Sequence, residues 1–271
     1  MSEVSRNVER NYLRGEQYKD SRNLNARIEL HRRFSSNPYG WARWLFDRLE
    51  ESVGTGSARI LEIGCGPAVG WRANRTRIPD GWVLQLTDFS LGMVGEARDV
   101  LGRRADYALA DAQALPFADD SFDVVVANHM IYHIPDRPRA FAEFARVLVS
   151  GGVLFASTVG ERHLEEIDVR LRAFGLGDGL LGTAVNTHFT LENGGTQLAG
   201  PFGEVARVEY EDSLRVTEVE PLLDYVRSMT AGEELTAAMA DDLRADVKAE
   251  IAAHGWFFIT KSSGVFTARN A

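Results

Sequence analysis

The stretch "ILEIGCGPAVGW", residues 60–71, constrains the fold more than any other part of the chain. Apolar residues run to Ile63 and stop at Gly64 and Gly66, where a helix should begin. Glycines at a strand-to-helix turn let the backbone approach a bound nucleotide closely. Glu62 is the unexpected member. A carboxylate beside the turn is ill suited to a pyrophosphate and well suited to a cationic or hydrogen-bond-donating group.

Around this turn, apolar runs and helical stretches alternate. Strands are expected at 59–63, 82–87, 106–110, 122–128 and 152–158, and helices near 68–77, 90–102 and 137–148. Nearly continuous apolar strands such as "FDVVVAN" indicate a parallel sheet covered by helices on both faces, a doubly wound α/β fold. Residues 24–50 hold two helical patterns broken at "SSNPYG", where Pro38 and Gly40 should turn the chain. The second half is less regular. Helices with a glycine-rich break are expected over 161–200, then a strand in "VARVEYEDSLRVTE" and helix over 218–254. A hairpin-like pair of strands is expected around Ser262–Gly264. This organisation gives a helical cap over 1–50, a nucleotide-type core over 51–160, and a completing segment over 161–271 whose helices wall a substrate pocket.

Composition narrows the function. A net charge of -9 without a dense basic run argues against a nucleic-acid footprint and puts a small molecule first among partners. No apolar run is long enough to cross a bilayer, the N-terminus lacks the apolar stretch of a signal peptide, and Cys65 has no partner for an internal disulfide. These features lead us to expect a cytoplasmic protein. The six histidines and one cysteine show no close-spaced metal-ligand set, so no metal is expected. The N-terminal helix suits packing on its own domain or on that of a second copy, so a homo-oligomer stays open.

Four features fall at the carboxyl ends of successive strands, where open α/β sheets bind ligands: "EIGCG", Asp88 in "LQLTDFS", "ADAQALPF" and "ANHMIYH". Asp88 can accept both hydroxyls of a ribose, and Asp111 the amine of an adenine, with Phe89 and Met93 as apolar walls. A ligand with an ammonium, a ribose and an adenine, but no phosphate, fits this set. Cys65 reads as a small loop residue, since no base is evident near it.

On "LEIGCGPAVG", "LTDFS", "ADAQALPFADDSFDVVVANHMIYHIPD" and "EFARVLVSGGVLFAST", residues 55–160 resemble the class I S-adenosylmethionine-dependent methyltransferases. The nearest branch is similar to the ubiquinone and menaquinone biosynthesis (type 11) methyltransferases, in a bacterial small-molecule subgroup. The resemblance implies a Rossmann-like, mostly parallel seven-stranded sheet with a helical N-terminal cap and helical insertions. It also implies S-adenosylmethionine as donor, with S-adenosylhomocysteine as product. The implied donor-contacting residues are Glu62, Gly64, Cys65, Gly66, Asp88, Phe89, Met93, Asp111, Ala112 and Asn128, with Tyr18 closing over the cofactor. "RVLVSGG" departs from the more common Lys-Pro-Gly-Gly, and we expect a surface turn there.

The acceptor carries no motif. The resemblance suggests a specialised metabolite, aromatic or isoprenoid, methylated on O, N or C. His129, at the end of the fourth strand, and His163 and Glu166, after the fifth, are the candidate bases. Ordinary roles stand beside them: His133 as a packing or capping residue, "ERHLEEIDVR" as a solvated helix face, Arg27, His31 and Arg32 as a basic face, and Trp256, Phe257 and Phe258 as core. Two other function classes stay open: a regulatory module that binds the donor without turnover, and an NAD-dependent oxidoreductase. Glu62 argues against the second.

Overall fold

A computed structural model describes residues 18–176, 188–229, 232 and 234–271. Helices α1 (Arg22–Phe34) and α2 (Trp41–Val53) precede β1 (Ala58–Ile63), with Gly40 at φ +83° turning the chain between them. There follow α3 (Val69–Ala73), β2 (Trp82–Asp88), α4 (Leu91–Leu101), β3 (Ala105–Leu109), β4 (Phe122–Asn128), α5 (Arg137–Val147) and β5 (Leu148–Val159). The remaining elements are α6 (Glu165–Ala173), α7 (Gly194–Leu198), β6 (Val205–Val216), α8 (Val219–Arg227), α9 (Ala237–His254) and β7 (Phe257–Arg269).

The strands form one seven-stranded sheet in the order β3-β2-β1-β4-β5-β7-β6. The pairings from β3 through to β5 are all parallel. β7 runs against both its neighbours: Gly151 N–H meets Asn270 O where Gly160 N–H meets Ser262 O, and Arg269 N–H meets Glu204 O where Lys261 meets Asp212. Strand order reverses between β1 and β4, so the crevice at their carboxyl ends is the ligand-binding position of such a sheet.

The described residues divide into two compact units that alternate along the chain. The first is built from Trp41–Val159, Phe189–Tyr210 and Gly264–Ala271. Its core has two halves because successive strand residues point to opposite faces. Leu61, Ile63, Val125, Ala127, Leu154 and Ala156 join one cluster, and Ile60, Val124, Val126, Val153 and Phe155 the other. Caps fix the helix starts: Ser90 Oγ accepts from Met93 N–H at α4, and Asp136 from Arg139 N–H at α5.

The second unit comprises the described residues within Met1–Gly40, Gly160–His188 and Glu211–Ser263. Its core joins Leu30 and Phe34 of α1 to Ile167, Leu222, Leu223, Leu243 and Val247 of the later helices and to Leu214 and Ile259 of the strands. A buried polar knot supports it. Asp212 accepts from Ser35 Oγ–H at 2.7–2.8 Å and Asn37 N–H at 3.1 Å and pairs with Lys261.

Three local expectations are corrected. Ser262–Gly264 is not a hairpin turn: residues 257–269 are a single strand. A Cβ on Gly264 would lie 2.7 Å from Val208 O, so this glycine admits the neighbouring strand instead of reversing the chain. The turn expected in "RVLVSGG" is drawn into β5, where Gly151 at φ +74° accompanies a register shift between Phe122 and Val124. Trp256 and Phe258 are exposed, and of the three aromatics there only Phe257 is core, as strand alternation requires. The expected helix over 218–254 forms as α8 and α9, and residues 177–182 of the glycine-rich break lie outside the described residues.

Candidate active site

The glycine turn sits at the end of β1 in the first unit. Gly64 at φ +68° and Gly66 at φ +53° hold conformations that side-chain-bearing residues adopt at a cost. Gly64 is also sterically locked, since a Cβ there would lie 2.9 Å from Met130 Cγ in the loop after β4. We expect Gly64→Ala to lose about 1–2 kcal/mol from its backbone conformation alone. Gly95→Ala, mid-helix with nothing within 4 Å of the new methyl, should gain up to about 1 kcal/mol. Urea unfolding of the pair tests both signs.

Glu62 is buried, and its only side-chain hydrogen bond among the described residues comes from Trp71 Nε1–H of α3. Burial pushes its carboxyl up to about 8, the indole bond opposes this, and the charge of Asp88 adds to the rise. Asp88 closes β2 and binds the glycine turn itself. Its Oδ2 accepts from Gly66 N–H at 2.9 Å and its Oδ1 from Ser90 N–H at 2.8 Å. Burial raises its pKa, partly offset by these bonds and one from Phe89 N–H. Burial, with the charges of Glu62 and Asp88, also drives the Cys65 thiol well above its ordinary range, which makes it a poor nucleophile at neutral pH.

After β3, Asp111 Oδ1 accepts from Gln113 N–H (3.0 Å) and Gln113 Nε2 (3.2 Å), and Gln113 Oε1 takes Asp136 N–H of the α5 cap. Ala112 is buried beside it and Phe89 is half-buried. Met93, on the first turn of α4, is buried at 1 % exposed.

The end of β4 is the most constrained part. His129 has φ +53°, a strained conformation for a residue with a side chain, and its ring lies 4.8 Å from that of Trp41. Its N–H donates to Ser157 Oγ at 2.9 Å, and Asn128 Oδ1 accepts from both Ser157 Oγ (2.7 Å) and Trp41 Nε1 (3.2 Å). Trp41, Trp44 and Tyr210 pack ring to ring at 5.1–5.5 Å. Nothing in the sequence pairs Trp41 with Asn128 or Trp71 with Glu62, and both links were missed there.

Of the candidate bases, only His129 belongs to the unit that carries the glycine turn. In the other unit, Glu166 Oε2 accepts from Thr260 N–H (2.7 Å) and Oε1 from Thr260 Oγ–H (2.6 Å), which ties α6 to β7. His163 Nδ1 accepts from Ser262 N–H at 3.2 Å, so its neutral ring carries the proton on Nε2. In the same unit Tyr18 lies under Arg27, the guanidinium 5.6 Å from the ring centre, and Arg32 pairs with Glu29. No group of three or more His, Cys, Asp or Glu among the described residues could hold a metal ion, and no described helix is long and apolar enough to cross a membrane.

Residues 61–156, from β1 through β5, match the family model described as a methyltransferase domain. This part of the chain is similar to methyltransferase domains. The domain is 39% identical over 118 residues to methyltransferase GfsG of Streptomyces halstedii, covering 41% of this chain and 40% of that one. It is 37% identical over 131 residues to the malonyl-[acyl-carrier protein] O-methyltransferase of Erwinia pyrifoliae, covering 48% of each. The match thus spans less than half the length of these two relatives. The fold is shared with phosphoethanolamine N-methyltransferase 2 of Haemonchus contortus, solved with S-adenosyl-L-methionine, at TM-score 0.57 and 20% identity over 96% of this chain and 59% of that one.

Proposed function

We propose that the protein is an S-adenosylmethionine-dependent methyltransferase acting on a small molecule. The observation that carries this reading is a buried carboxylate, Glu62, with no cation beside it among the described residues, at the crevice formed by β1 and β4. Such a site fits a ligand that brings its own positive charge and misfits the pyrophosphate of a dinucleotide. Glu62 would receive the amino-acid ammonium, the Gly64–Gly66 turn the amino-acid backbone, Asp88 the ribose and the Asp111 turn the adenine.

When bound, the donor supplies a sulfonium methyl, an activated leaving-group arrangement. The protein's own task is then to align the acceptor, exclude water and, where the acceptor carries a proton, remove it. His129 is the residue proposed for proton removal, its ring oriented by Trp41 and its backbone by Ser157. Trp41, Trp44 and Tyr210 beside it support an aromatic or isoprenoid acceptor of specialised metabolism.

Calorimetry in two buffers of different ionisation heat tests the donor site. Glu62 holds its proton at neutral pH, and an arriving ammonium expels it. Donor binding near pH 7 should release up to one proton, and affinity should rise between about pH 6 and 7.5, below the titration of an α-amino group. Glu62→Gln should abolish the buffer dependence. Binding without proton release would remove Glu62 from the ammonium site. Transfer of labelled methyl to an acceptor panel separates an enzyme from a donor-binding module.

A further inference from the structure

The methyltransferase reading leaves open which kind of acceptor atom the site receives, and the hydrogen bonds around Asn128 address this. The two ends of a carboxamide are told apart by what they face. Trp41 Nε1–H is a donor only, so the Asn128 atom 3.2 Å away is the oxygen. Ser157 is compatible with this assignment: its Oγ accepts from His129 N–H at 2.9 Å and donates its own hydrogen to Asn128 Oδ1 at 2.7 Å. With both lone pairs of Oδ1 engaged, the Nδ2 amide is turned away from these partners, and among the described residues none accepts from it. Asn128 ends β4 beside the turn after β1, at the reversal of strand order.

We infer that Asn128 presents two N–H donors to the methyl acceptor, and that the site therefore recognises an oxygen-bearing hydrogen-bond acceptor, a carboxylate or phenolate, in preference to an amine. An ammonium has no lone pair to offer these donors, and a neutral amine has a single one, which the transfer itself requires. Trp41 is the positioning residue. Its indole N–H and the Ser157 hydroxyl hold the amide against the 180° flip that would present oxygen instead. The inference rests on the proposed function for the identity of the ligand, but not for the direction of the amide.

The test is a side-chain amide NMR titration of the full chain, first ligand-free and then with S-adenosylhomocysteine, using acetate, 4-nitrophenolate and methylammonium as probes. The account expects both anions to shift the Asn128 Nδ2 resonances saturably and methylammonium to leave them in place. Asn128→Asp keeps an oxygen toward Trp41 and Ser157 and replaces the donors by an acceptor. Calorimetry should then show acetate binding about tenfold or more weaker, and methylammonium bound in its place. In Trp41→Phe the Nδ2 resonances should respond less to acetate, whereas a purely structural tryptophan would leave that response unchanged. Absence of an anion shift, an equal shift with methylammonium, or retained acetate binding in Asn128→Asp would each overturn the inference. Failure of S-adenosylhomocysteine to bind in the same samples would overturn the methyltransferase reading instead, and the ligand-free titration would still report the amide.

Discussion

Asp88→Ala is expected to weaken S-adenosylmethionine binding by about 10²- to 10⁴-fold, the loss of two hydrogen bonds to a charged group at about 1.5–3 kcal/mol each. Asp88 has two tasks. It would accept the ribose hydroxyls, and it already holds Gly66 N–H and Ser90 N–H, so its removal also releases the glycine turn. Asp88→Asn keeps one acceptor oxygen and so loses part of each, one of the two backbone N–H bonds and one ribose bond, placing affinity between wild type and alanine. Calorimetric titration of the three proteins checks the order. Equal affinities would remove Asp88 from the site.

The largest stability effect is expected at Asp212. Its side chain is 1% exposed and that of Lys261 is 9% exposed, so removing either partner strands a desolvated charge at a cost of about 3–5 kcal/mol. Asp212→Ala should therefore lower the urea midpoint strongly, and Asp212→Ala with Lys261→Met should recover much of the loss. Burial pushes the Asp212 carboxyl up. Lys261, by hydrogen bond and charge, together with Ser35 and Asn37, outweighs burial and leaves it below the usual carboxylate range. A carboxyl depressed in the folded state stabilises in full above its unfolded pKa, and that contribution is lost as pH falls through the folded value. The wild type should lose more stability between neutral pH and about pH 3 than the Asp212→Ala variant does.

The parallel core was legible because its strands are buried on both faces and read as unbroken apolar runs, and because Gly64 and Gly66 mark a turn that side chains disfavour. The final strand was not. "KSSG" has the composition of a turn, and only the approach of Val208 explains why Gly264 stays extended. Glu166 and His163 looked catalytic because position along the chain says nothing of partners, and Thr260 and Ser262, some ninety-odd residues away, occupy them. The Trp41–Asn128–Ser157 network joins three separate segments in the same way, so its direction is visible only in the fold.

The central claim is that the crevice at the ends of β1 and β4 binds a cationic, phosphate-free adenosine ligand. Calorimetric titration of the full chain with S-adenosylmethionine and S-adenosylhomocysteine, with NADH as control, tests it most directly. The account predicts saturable one-site binding of both sulfur ligands and none of NADH. Binding of NADH with no heat from either sulfur ligand would contradict it.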